Sequence, residues 1–139
     1  RLSGPLLDRI DLVIDVPAVT AADLILPPPA EGSGEAAARV AAARARQTRR
    51  YAALGVEGVT TNSACPAPLI EEAARPDADG LALIREAADA MRLSARGFHR
   101  VLKVARTLAD LDGEERVRRL HIAEALSYRS HLDRRPVAA

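Results

Sequence analysis

Three features of the sequence predict a mainly α chain: a helical bundle with one short residual β-strand. Ala, Leu and Val fill most apolar positions and Arg and Glu dominate the polar ones, a composition rich in helix formers. Apolar residues recur at three- and four-residue spacing in several blocks, most clearly between Ser94 and Leu111. Convincing alternation with period two occurs once, near the N-terminal end.

The strand is the stretch from Ile10 to Val16. Apolar side chains fall at 10, 12, 14 and 16 and acids at 11 and 15; Val13 breaks the polar row and Pro17 ends the segment. A lone strand leaves backbone donors and acceptors unpaired, so its sheet is expected upstream, in a longer protein. The missing initiator Met agrees with that expectation. In this chain the segment should either pair with a neighbouring copy or pack flat on the bundle through Leu12, Ile14 and Val16. Either contact would be a product of truncation and foreign to the native assembly.

Residues 17 to 34 contain Pro17, Pro27, Pro28 and Pro29, then Gly32-Ser33-Gly34, the pattern of a semi-rigid linker and a turn. A helix over about Glu35–Ala53 follows, with Glu35 well placed in its first turn. Val40, Gln47, Tyr51 and Leu54 fall on one side of it, and Arg39, Arg44, Arg46, Arg49 and Arg50 decorate the rest. After a loop from Gly55 to Pro66, short helices are predicted over Ala67–Ala74 and Ala78–Met91, the second capped by Asp77. Leu81, Ile84, Ala87, Ala88 and Met91 give that second helix its apolar spacing. The clearest helix runs from its cap, Ser94, to Leu111. At about 100° per residue, Phe98, Val101, Leu102, Ala105, Leu108 and Ala109 form its apolar stripe. Arg96, Arg100, Lys103 and Thr107 fall opposite. A last helix over Arg119–Ser130 buries Ile122, Ala125 and Leu126, with a frayed tail from His131. With only Tyr51, Phe98 and Tyr128 aromatic, the core should be thin and its helices close together.

Several functions are excluded. The net charge is +1, from 20 basic and 19 acidic side chains, so no overall field draws this chain onto nucleic acid. Cys65 is the only cysteine, which rules out an internal disulfide and fits a reducing cytosol. No apolar run approaches the ~18 residues of a membrane span, and the N-terminus lacks the apolar region of a signal peptide. Lys103 is the only lysine and sits within Val101-Leu102-Lys103-Val104, so there is no P-loop; no Walker-B acid pair ends an apolar run either. His99, His121, His131 and Cys65 do not have the spacing of a zinc site. Cys65 beside Pro66, with His99 or His121 as base, is an inert loop cysteine rather than a nucleophile. The chain alone should hydrolyse nothing.

Two segments carry a resemblance. One is Arg1-Leu2-Ser3-Gly4-Pro5-Leu6-Leu7-Asp8-Arg9-Ile10-Asp11-Leu12. The other runs from Leu93-Ser94-Ala95-Arg96-Gly97-Phe98-His99-Arg100 through Asp112-Gly113, followed by His121-Ile122-Ala123-Glu124-Ala125-Leu126. Together they resemble the C-terminal third of magnesium-chelatase-like AAA+ ATPases, most closely the ComM/YifB branch. The resemblance implies that residues 1–17 end an ATPase core, 18–34 form a linker, 35–130 form the helical lid and 131–139 a tail. It implies Arg9 as an arginine finger acting in trans on the neighbouring subunit's nucleotide. The alternative is that Arg9 merely pairs with Asp8 or Asp11. Arg96 matches the sensor-2 arginine acting in cis, with Arg100 as its rival. A cation in a helix's first turn opposes the dipole, which suggests a missing anion at Arg96. ATP and Mg²⁺ are implied for the parent protein only, with its own core and the other subunits of a homohexamer as partners. DNA is a possible further partner, the family role being a motor on branched DNA. An Arg-rich helix without interleaved aromatic residues offers no stacking platform for DNA, so Arg39 to Arg50 read as a solvated face. The runner-up is the ATPase subunit of a true magnesium chelatase, and the third reading a stand-alone helical binding module.

Overall fold

The computed structural model describes residues 9–21, 23–27 and 30–133. Among these, α1 spans Ser33–Ala53, α2 Ile70–Ala74, α3 Ala78–Ala90, α4 Ala95–Asp112 and α5 Arg119–Asp133. Short 3-10 turns occur at Asp23–Ile25 and Ala67–Leu69.

Helix α4 is the centre of the bundle: α1, α2 and α5 all pack on it, and α3 packs on α5. The predicted stripe explains this role. Val101, Leu102, Ala105 and Ala109 are buried, with Phe98 and Leu108 half-buried at its margin. Tyr51, Ile70, Ile84, Val117 and Ile122 fill the space around them, while Ala73, Ala74 and Ala125 let the helices approach closely. Burying a side chain of the size of Leu or Ile stabilises by roughly 1.5–3 kcal/mol, so a few large residues and many alanines make a thin core.

The helix starts follow the predicted chemistry. The Asp77 side chain accepts from Gly80 N at 2.7 Å and Ser94 Oγ from Gly97 N at 3.0 Å. At the start of α1, Gly32 N donates to Glu35 Oε2 at 3.1 Å. Helix α4 ends on Gly113 at φ 79°, a left-handed conformation that favours glycine. An isolated parallel bridge between Pro76 and Val117 ties the turn before α3 to the turn before α5. Its bonds are Asp77 N to Val117 O at 2.9 Å and Val117 N to Arg75 O at 3.3 Å.

Four expectations need correction. Residues 10 to 16 are not a strand: among the described residues no strand lies beside them, and the segment is held by a backbone bond from Val13 N to Tyr128 O at 3.1 Å. The segment lies against the bundle, but not flat, because exposure rises from 48% at Leu12 through 64% at Ile14 to 86% at Val16. Val40 is half exposed, since the buried residues of α1 are Ala43, Gln47 and Tyr51, all beyond its first two turns. Helix α5 continues three residues into the expected tail, to Asp133; residues 134–139 lie outside the described residues.

Candidate functional site

The polar face of α4 forms one wall of an open cleft of about 660 Å³. The Ser94 cap fixes where the helix begins and therefore which residues share that wall. Arg96, His99, Arg100 and Lys103 line it, above an apolar floor of Val104, Leu108 and Leu111. Asp11, Leu12 and Ile14 of the N-terminal segment close one side, and Ser63 and Tyr128 also reach in.

The cations differ in what holds them. Arg96 is exposed and has no ion-pair partner among the described residues. Arg100 forms an ion pair with Asp11, while its Nε is buried with no hydrogen-bond partner among the described residues. Lys103 Nζ donates to Ser63 O at 2.9 Å. The His99 ring lies edge-on to Phe98 with centroids 6.0 Å apart. Tyr128 donates to Glu124 Oε1 at 2.8 Å, and that bond holds its phenol above the usual range. Three cations on one helix face suit an anion carrying several oxygens.

Residues 30–129 match the family described as magnesium chelatase, subunit ChlI C-terminal. The chain belongs to this family. It is 36% identical over 139 residues to the uncharacterized protein YifB of Escherichia coli, covering 94% of this chain and 24% of that protein. To competence protein ComM of Haemophilus influenzae it is 35% identical over 130 residues, covering 94% of this chain and 24% of that protein. An uncharacterized Mycobacterium tuberculosis protein, Rv2897c, is 37% identical over 134 residues, covering 93% and 25%. The chain thus spans about a quarter of the length of the curated relatives it matches.

Within this magnesium chelatase C-terminal domain, Arg96 and Arg100 come together on the cleft, as their shared helix face requires. Arg9 does not line it; this residue lies in an exposed turn two positions before Asp11. The rest of that motif, Arg1 to Asp8, lies outside the described residues. Asp11, one of the alternative partners of Arg9, is engaged by Arg100. On α1, Arg39 pairs with Glu31 at 3.2 Å, Arg46 donates to the Asp110 carbonyl at 3.2 Å and Arg50 pairs with the Asp110 carboxylate, while Arg44 and Arg49 are exposed. Cys65 is buried, its Sγ lies 3.5 Å from Pro66 O, and no hydrogen bond joins it to His99 or His121 among the described residues. His121 is used elsewhere: Nδ1 accepts from Arg118 N at 3.0 Å, which leaves Nε2 to donate to Asp112 Oδ2 at 3.0 Å. Among the described residues no group of three His, Cys, Asp or Glu could hold a metal ion, and no helix is long and apolar enough to cross a membrane.

The sequence reading missed a buried polar cluster behind the cleft. Asp110 is fully buried and accepts from Arg50 through both Nη atoms, from Asn62 Nδ2 at 2.9 Å and from Arg106 Nη2 at 3.1 Å. Arg106, also fully buried, donates to the carbonyls of Ala74, Glu114 and Glu115. Burial lowers the Arg106 pKa, an effect that Asp110 opposes. Tyr51 donates to Asn62 Oδ1 at 3.0 Å, and burial first, then its contact with Cys65, raises its phenol pKa. The cluster touches the cleft at one point, where Asn62 Nδ2 also donates to Thr107 Oγ1 at 2.9 Å. It fixes α1, the loop that carries Asn62 (residues 55 to 66, here the 62-loop) and α4 in one arrangement, and so fixes the wall that carries Arg96, Arg100 and Lys103.

Proposed function

We propose that this chain is the helical lid of a ring-forming AAA+ ATPase of the ComM/YifB branch, following a core that binds ATP and Mg²⁺. The observation that carries this reading is the cationic wall of α4, where Arg96, Arg100 and Lys103 meet on one cleft. When the lid closes, Arg96 meets the nucleotide of its own subunit as the sensor-2 residue. Its planar guanidinium keeps its charge and directs paired donors at phosphate oxygens. Arg9 acts across the subunit boundary as the finger, an effect worth about 10³–10⁵ in rate where it operates. The greater length of the relatives leaves room for the core that residues 1–17 would end. Residues 18–34 then act as the linker and 35–130 as the lid.

In this reading the parent is a cytosolic homohexamer and hydrolysis turns subunits against one another. Its substrate is branched DNA, engaged when incoming strands are recombined; the name of the Haemophilus relative, a competence protein, supports this. The family's description favours a second reading, the ATPase subunit of a magnesium chelatase that drives Mg²⁺ into protoporphyrin. Upstream sequence separates these readings. Walker A and B motifs reject a stand-alone helical binding module, and an N-terminal Lon-protease-like domain favours the DNA motor over the chelatase.

The direct test is Arg96→Ala in the full-length protein, with nucleotide affinity and turnover measured separately. Loss of at least tenfold in one of them is expected, with Arg119→Ala, an exposed position that does not line the cleft, as control. Unchanged affinity and unchanged turnover refute the role of Arg96.

A further inference from the structure

The N-terminal segment does more than rest beside the cleft. Asp11 places its carboxylate on Arg100, in the middle of the cationic wall, and Leu12 and Ile14 line the same space. Val13 N–H, donating to Tyr128 O at 3.1 Å, holds the segment to α5. An aspartate here supplies what a phosphate oxygen would supply, a negative acceptor for a guanidinium. It satisfies only part of the site: Arg100 Nε stays without a partner and Arg96 without a counter-ion among the described residues.

We infer that the cleft is a polyphosphate site masked in cis by Asp11, so that the chain by itself blocks its own anion site. This rests on reading the α4 wall as phosphate-binding, and it adds that binding requires residues 10 to 16 to leave. Both groups of the Arg100–Asp11 pair are partly exposed, at 24% and 47%. Solvent-exposed pairs are weak, so the mask is one that a modest force can lift. A chain whose segment 10–16 joins a core sheet would lift it, which couples formation of the ATPase core to opening of the lid's anion site.

The test uses this chain with inorganic tripolyphosphate as probe, followed by calorimetry and by amide chemical shifts of α4 at low salt. The unaltered chain should bind weakly. Asp11→Asn should tighten binding by up to about fivefold, the upper end set by the strength of a partly exposed ion pair. Val13→Pro, which removes the donor to Tyr128 O but keeps Asp11, should also tighten it. Adding Arg100→Gln to Asp11→Asn should return affinity to the starting value or below. If Asp11→Asn and Val13→Pro both bind like the unaltered chain while Arg100→Gln weakens binding, the masking is wrong and the phosphate reading survives. A gain in Asp11→Asn alone, with Val13→Pro unchanged, would reflect net charge and also overturn the mask. If no variant binds the probe, the phosphate reading itself fails.

Discussion

Removing the Asp110 carboxylate tests whether the buried cluster holds the bundle together. In Asp110→Ala, Arg50 can still reach water, because 18% of its side chain is exposed. Arg106 cannot: it is fully buried and keeps only the carbonyls of Ala74, Glu114 and Glu115. Stranding one partner of a buried pair costs about 3–5 kcal/mol, a large share of the ~5–15 kcal/mol that keeps an ordinary domain folded. For a bundle of this size the melting temperature should fall by something on the order of 15–30 °C. Thermal and urea unfolding followed by far-UV circular dichroism measure the loss. Glu31→Ala is the control, because Arg39 and Glu31 form a surface pair at 3.2 Å with both side chains about half exposed. It should stay within about 0.5 kcal/mol of the unaltered chain. Adding Arg106→Met to Asp110→Ala should recover part of the loss, because the stranded charge is gone. A cost for Asp110→Ala no greater than that for Glu31→Ala would refute the reasoning.

Alkaline stability should depend on Tyr51, whose phenol pKa is raised in the fold by burial and by its contact with Cys65. The unfolded chain releases this proton near pH ~10 while the folded chain retains it, so the contribution is intact below that pH and is lost as pH rises towards the folded value. Tyr51→Phe should flatten this decline at a cost of about 1 kcal/mol at neutral pH, and an unchanged alkaline slope in urea titrations counts against the burial argument. Ser94→Ala and Asp77→Ala each remove a cap and should each cost about 1 kcal/mol in equilibrium unfolding; no loss in either would mean that the caps are ornamental. The chain on its own should show no ATP turnover, and turnover abolished by Cys65→Ala or His99→Ala would overturn its reading as a lid.

The helices were legible because their signals are local. The Asp77 and Ser94 caps, Gly113, and the spacing of Val101, Leu102, Ala105 and Ala109 each act within a turn or two of the chain. The cationic wall was legible for the same reason, since α4 alone places Arg96, Arg100 and Lys103 together. The cluster around Asp110 was not, because it joins α1, the 62-loop and α4 across 45 to 60 positions. A partial signal was present: Arg106 and Asp110 follow Leu102 at steps of four, in line with its buried face. Charged side chains at buried positions are uncommon, so the apolar stripe alone does not announce them. Segment 10 to 16 shows the converse limit, since alternation marks an extended stretch with two faces but cannot supply the neighbour that makes it a strand. Val40 failed because periodicity says which side of α1 is apolar, not how much of that side a neighbour covers.

The central proposal is that this chain completes ATP sites both in its own subunit and next door, and mixing full-length mutants tests it most directly. Arg9→Ala rings should bind ATP nearly as well as unaltered rings but lose most turnover, because the finger serves the neighbouring site. A Walker-B-dead mutant should be inactive for the opposite reason. Mixed rings of the two should regain part of the activity, since some interfaces then combine an intact Walker B with an intact Arg9. Arg9→Ala rings that hydrolyse ATP at the normal rate, or mixtures that regain nothing, would contradict the account.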